Sequence, residues 1–104
     1  MSRYDLYGIH DKDIGGARAR VETALAIRMV PHEGGYRGGE YFRFGDVGGE
    51  NYILQINYNN GEAEWAEPAY AKYPILLYVS ETERGQEIAT ALNGVGVLLR
   101  TEEL

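Results

Sequence analysis

The stretch Ile75-Leu76-Leu77-Tyr78-Val79 decides how this chain is read. It is the most continuous apolar run in the sequence, the pattern of a strand covered on both faces, and that places it in the middle of a sheet. Downstream, Ser80 followed three residues later by Glu83 matches a capping box, and Glu83 and Glu87 suit the positive end of a helix dipole. A helix is therefore predicted, with Ile88, Ala89 and Leu92 as its buried stripe and Asn93 and Gly94 as its stop. Val95, Val97 and Leu99 alternate as a last strand, leaving residues 101–104 as a frayed end.

Upstream, Asn59, Asn60 and Gly61 open a polar stretch that runs to Tyr73 and is punctuated by Pro68 and Pro74. It is too long for a hairpin turn, and long ordered loops often carry function. Before it, Phe42 and Phe44 share one face of residues 40–45. Tyr52, Leu54, Ile56 and Tyr58 share one face of residues 51–58, and Gly48 and Gly49 lie between the two runs. Those runs predict a hairpin. Residues 27–33 alternate as a strand and end where Gly34, Gly35, Tyr36, Arg37, Gly38 and Gly39 demand a permissive loop. At the start, residues 4–10 read as a strand, and Asp11, Lys12 and Asp13 as a turn. Ile14, Ala17, Val21, Ala24 and Leu25 fall on one side of a helix that Asp11 or Asp13 caps.

The order is β-α-β-β-β-β-α-β. It predicts an α+β fold: a single-layer, mostly antiparallel sheet of about six strands with two helices packed on one face. A length of 104 residues suits one hydrophobic core, so residues 1–104 are read as a single domain. With 44% apolar and 25% charged residues the chain has the balance of a globular protein. No apolar run reaches the roughly 20 residues that span a bilayer, and Met1 to Asp5 lack the apolar core of a secretory signal. A cytoplasmic location with no membrane contact is expected. Without cysteine there is no disulfide and no thiolate metal site. The net charge of -6 repels nucleic acid phosphates and attracts a basic protein.

Motifs that suggest chemistry have simpler readings. Asp11, Asp13, Gly16 and Glu22 fall at positions one, three, six and twelve of a calcium-binding loop. A strand precedes them, however, Gly15 replaces a ligand and Arg18 stands where an apolar residue belongs, so a helix-capping turn is the reading. The glycine-rich stretch around Arg37 leads into a strand and lacks the helix N-terminus that makes a phosphate loop effective. Neighbouring His32 and Glu33 point to opposite faces of a strand, and a metal site would need His10 and His32 brought together from separate strands. Ser2 is terminal and Ser80 is a cap, so no nucleophile, base and orienting group share a motif. The expectation is a protein that is not an enzyme and carries no metal or cofactor.

Charge segregation is the feature that points to function. Between Arg43 and Lys72 there is no lysine or arginine, while Asp46, Glu50, Glu62, Glu64 and Glu67 all fall there. Tyr58, Trp65 and Tyr70 are interleaved with them, side chains that offer large contact area at little rotamer cost. These eight residues form the candidate partner-binding set. The competing reading is a solvated loop with Trp65 covering a sheet edge.

Tyr4-Asp5-Leu6-Tyr7-Gly8-Ile9, Gly35-Tyr36-Arg37-Gly38-Gly39-Glu40-Tyr41-Phe42, and Tyr78 leading into Ser80-Glu81-Thr82-Glu83 carry a resemblance that covers most of the chain in order. With these stretches the chain resembles the small immunity proteins that protect bacteria from toxins of contact-dependent growth-inhibition systems. The resemblance implies a cytoplasmic inhibitor that binds one cognate toxin domain, often a basic nuclease and sometimes one that cleaves transfer RNA. Such an inhibitor occludes the active site or substrate groove without touching nucleic acid itself; the oligomeric state stays open, a monomer being favoured over a homodimer. Two other readings stay open. One is a small-molecule binding domain or small enzyme with a tyrosine-lined pocket using His10 or His32, and the other is an adaptor or homodimer built on a sheet edge.

Overall fold

A computed structural model of the chain describes residues 2–37, 39–46 and 48–104, with Tyr36 described through its backbone alone. Gly38 of the glycine-rich loop lies outside the described residues. The elements are β1 (Arg3–Ile9), α1 (Ile14–Leu25), β2 (Val30–Gly34), β3 (Gly39–Gly45), β4 (Asn51–Ile56), β5 (Tyr58–Asn59), β6 (Glu64–Trp65), β7 (Ile75–Thr82), α2 (Gly85–Ala91) and β8 (Val97–Glu103). Six strands form one antiparallel sheet in the order β2-β3-β4-β7-β1-β8, and β5 and β6 form a separate small hairpin.

The apolar run that opens β7 sits between β4 and β1, and Ile75, Leu76, Leu77 and Val79 are all buried because both faces of this strand are covered. On one face Ile75, Leu77 and Val79 join Tyr7, Ile9, Phe42, Tyr52 and Leu54, closed over by Ile14, Ala17 and Val21 of α1 and Ile88 and Leu92 of α2. Each fully buried aliphatic side chain here contributes about 1.5–3 kcal/mol. Asp13 caps α1, its carboxylate accepting from the Gly16 N–H at 2.7 Å, and Ala26 ends the helix in the left-handed region.

Four local expectations give way to tertiary contacts. The second strand begins at Val30 rather than at residue 27, because the Glu22 carboxylate accepts from the Met29 N–H at 2.7 Å and Arg18 donates to the Met29 carbonyl at 3.0 Å. The fourth strand ends at Ile56 instead of reaching Tyr58, because the Asn57 N–H turns aside to the Pro74 carbonyl. No capping box forms at Ser80. β7 continues to Thr82, Ser80 pairs with Asn51, and the Thr82 hydroxyl accepts from the Arg84 N–H just before α2. The C-terminal residues do not fray: Arg100 to Glu103 pair in register with β1, and the Leu104 N–H donates to the Ser2 carbonyl.

Neither α1 nor α2 packs on the other face of the sheet. The segment after β4 folds back against it, and Gly8 makes this possible. A side chain at that position would run into the Tyr73 ring and lie 2.9 Å from Leu99. Among the described residues no helix is long and apolar enough to cross a membrane.

Candidate partner-binding surface

Residues 57–74 are an ordered loop organised by two asparagines. Asn57, fully buried, donates through its amide to the carbonyls of Tyr70 and Tyr73 at 3.0 and 2.9 Å and accepts from the Glu67 N–H at 3.0 Å. Its backbone carbonyl also accepts from Ala66 at 2.7 Å. Asn59 donates to the Gly35 carbonyl at 2.7 Å, and its side-chain oxygen accepts from the N–H groups of Gly61 and Glu62. Side chains that take over backbone partners in this way stabilise turns that the ladder cannot reach. The result is the β5–β6 hairpin, with Tyr58 opposite Trp65 and Asn59 opposite Glu64.

Trp65 stands edge-on to Tyr58, ring centroids 4.9 Å apart, and remains 37% exposed. About a third of the side chain faces solvent and the rest is covered, in part by Tyr58. Glu62 and Glu64 are exposed at the same tip. The hydrogen bond between them and the charge of Glu64 raise the Glu62 carboxyl above its ordinary value. Among the described residues no cation pairs with either. Arg37 lines the same hollow as these two carboxylates and donates to the Gln55 side-chain oxygen at 2.7 Å.

The remaining acids lie elsewhere. Asp46 and Glu50 flank the β3–β4 turn, and the hairpin tip follows the far end of β4, a strand length of roughly 20 Å away. Asp46 is exposed. Glu50 instead accepts from the hydroxyls of Tyr52 and Thr82, both at 2.6 Å, and pairs with Arg84 at 2.9 Å. Burial pushes its carboxyl up, but the hydrogen bonds from Arg84, Thr82 and Tyr52 outweigh burial and hold it below its usual range. Glu67 accepts from the Tyr78 hydroxyl at 2.8 Å and pairs with Arg100 at 3.1 Å, and burial with this hydrogen bond keeps the Tyr78 phenol protonated far above its normal range. Tyr70 donates to the Leu99 carbonyl at 3.3 Å. These contacts clamp the loop onto β7 and β8.

The structure thus brings Tyr58, Glu62, Glu64 and Trp65 together, commits Glu50, Glu67 and Tyr70 to the fold, and leaves Asp46 apart. The histidines do not converge. His10 follows β1 and packs on Tyr73, while His32 on β2 stacks on Tyr41, four strand positions away or roughly 19 Å at the usual spacing. Sequence reading missed Asn57 and Asn59 as organisers of the loop: Asn57 sits at a polar position of the alternation formed by Tyr52, Leu54, Ile56 and Tyr58, and Asn59 reads only as the start of a turn. No protein-family model, curated protein or solved structure matches this chain.

Proposed function

We propose that this chain is an immunity protein that binds a basic toxin domain, of the nuclease class, and blocks its active site or substrate groove. The observation that carries the reading is the hairpin tip, where two exposed carboxylates that form no salt bridge among the described residues lie beside a partly exposed tryptophan, on a loop already ordered by Asn57 and Asn59. A pre-ordered acidic and aromatic surface loses little entropy on docking, and a nuclease must present a basic groove to its own substrate. Tyr58 backs the indole, Trp65 is the anchor, and Glu62 and Glu64 steer the encounter.

The test is to mix the protein with the toxin domain encoded immediately upstream of it and to measure toxic activity and complex formation. The expected result is a stable complex with activity lost. Trp65→Ala should weaken that complex by about 2 kcal/mol, roughly thirtyfold in Kd. The double change Glu62→Gln and Glu64→Gln should slow association about tenfold at low salt and much less at high salt, because the exposed charges are screened. A toxin that neither binds nor loses activity would overturn the proposal.

A further inference from the structure

We propose that the outer edge of β8 is a second docking site, one that accepts an extended strand carrying basic residues at alternate positions. The sheet ends in two edges. β2 is short and contains Pro31, which has no N–H to offer a ladder. β8 runs for seven residues, Val97–Glu103, without proline or glycine, and among the described residues no strand lies beyond it.

The hydrogen-bond phase of β8 follows from its last rung. The Leu104 N–H donates to the Ser2 carbonyl, and the register continues with Glu102 opposite Tyr4 and Arg100 opposite Leu6. Bonded and non-bonded pairs alternate in an antiparallel ladder. The N–H and C=O groups of Thr101 and Glu103 therefore point away from β1, roughly 7 Å apart, at the repeat an incoming strand presents. Further up the strand the Leu99 carbonyl is already taken by the Tyr70 hydroxyl, so the open rungs are at the C-terminal end.

The charge beside those rungs selects the occupant. Glu103 shares an open hollow of about 430 Å³ with Glu83 and Glu87 of the turn and first turn of α2. Two arginines line the same hollow: Arg3 bonds both oxygens of the buried Asp5 and also feels the charge of Glu103, and Arg84 is bound to Glu50 and lies 4.0 Å from Glu87. Among the described residues Glu83 and Glu103 pair with no cation. A strand added to β8 sends every second side chain to this side, where lysine or arginine finds Glu83 and Glu103, while Glu87 already lies beside Arg84. A second copy of the chain is the poorer occupant, since each copy carries a net charge of -6. The site does not depend on the hairpin tip for its own binding, although a basic toxin is one protein able to supply such a strand.

The probe is an acetylated, amidated octapeptide of alternating lysine and valine, titrated into the isotope-labelled protein. Amide shifts and slowed hydrogen exchange at Thr101 and Glu103 are expected, with none from the alternating glutamate and valine peptide. Thr101→Pro should weaken binding by about tenfold or more, because proline offers no N–H and its ring occupies the incoming strand's place, whereas Thr101→Ala should bind as the unaltered protein does. Methylating alternate backbone nitrogens of the peptide should abolish binding to the unaltered protein, a result independent of how any variant folds. Lysine peptide that shifts no residue of β8, or that binds equally when methylated, overturns the proposal. So does self-association that Thr101→Pro removes, since the occupant is then a second copy. A toxin domain that binds neither the hairpin nor the edge overturns the immunity reading and leaves the peptide result to decide this one.

Discussion

Replacing Glu50 with alanine separates the two roles an acidic residue can have in this protein. The carboxylate accepts from two hydroxyls belonging to fully buried residues, Tyr52 and Thr82, each at 2.6 Å, and anchors Arg84 at 2.9 Å. Alanine leaves both hydroxyl protons without an acceptor, at about 1–3 kcal/mol each. Arg84 still donates to the Tyr52 oxygen, and the Glu50 side chain is 25% exposed, so water can enter the space it leaves. The lower part of the range therefore applies, about 2–4 kcal/mol in total. For a domain near this length that is a fall in Tm of roughly 10–25 °C. Glu50→Gln, which keeps an acceptor oxygen but no charge, should lose about half as much.

The pH dependence carries the sign of a depressed carboxyl. The stabilisation is complete above the ordinary value of 4.5 and is lost as pH falls through the lower value of the folded state. Urea unfolding followed by fluorescence should thus show the full gap between the native protein and Glu50→Ala at pH 7 and a shrinking gap below pH 4.5. A gap under about 0.5 kcal/mol at neutral pH, the scale of an ordinary surface substitution, would refute the reasoning. So would a gap that acid leaves unchanged.

Three further outcomes follow from buried groups. The Tyr7 hydroxyl is buried with no hydrogen-bond partner among the described residues, so Tyr7→Phe should stabilise the protein by about 1 kcal/mol in urea unfolding, and a loss of that size would show that the hydroxyl has a partner. Burial pushes the phenols of Tyr7 and Tyr52 up to about 12 and raises Tyr78 as well, from 10.0 in each case; a raised value means stability that is full below pH 10.0 and lost above it. Unfolding midpoints should accordingly fall between pH 10.0 and about 12, and a flat profile there would contradict the burial of these rings. Gly8→Ala forces a methyl against Tyr73 and Leu99 and should cost about 1–3 kcal/mol or more, read from thermal melts, while Gly35→Ala, where nothing lies within 4 Å, should be near neutral.

Strand and helix identities were readable because they rest on local periodicity. Alternation put Tyr52 and Leu54 on one face of their strand and Phe42 and Phe44 on one face of theirs, both expected to meet the core, and the register joins the two by pairing Phe42 with Leu54 and Phe44 with Tyr52. Phe44 nonetheless stays 37% exposed at the rim of that face, stacked on Tyr52. The errors came at ends. Ser80 had the spacing of a cap, but Asn51 drew it into the ladder, and residues 101–104 looked unpartnered only because β1 lies nearly the whole chain away. Trp65 was visible as a candidate, whereas its packing on Tyr58 depends on the turn that Asn59 makes.

By itself the sequence determined the types of the main elements, the central place of β7 and the run of residues without a positive charge, all of which are properties of neighbours along the chain. Only the tertiary structure decided which acids remain available. Glu50 finds Arg84 thirty-four residues later and Glu67 finds Arg100 thirty-three residues later, so two of the five acids in that run are neutralised by distant partners. Glu62 and Glu64 are left together at a tip where Glu64 raises the cost of charging Glu62. The same folding carries β8 to the edge of the sheet, where Thr101 and Glu103 have backbone groups to spare, because strand order is set by long-range pairing and not by the residues of the strand itself.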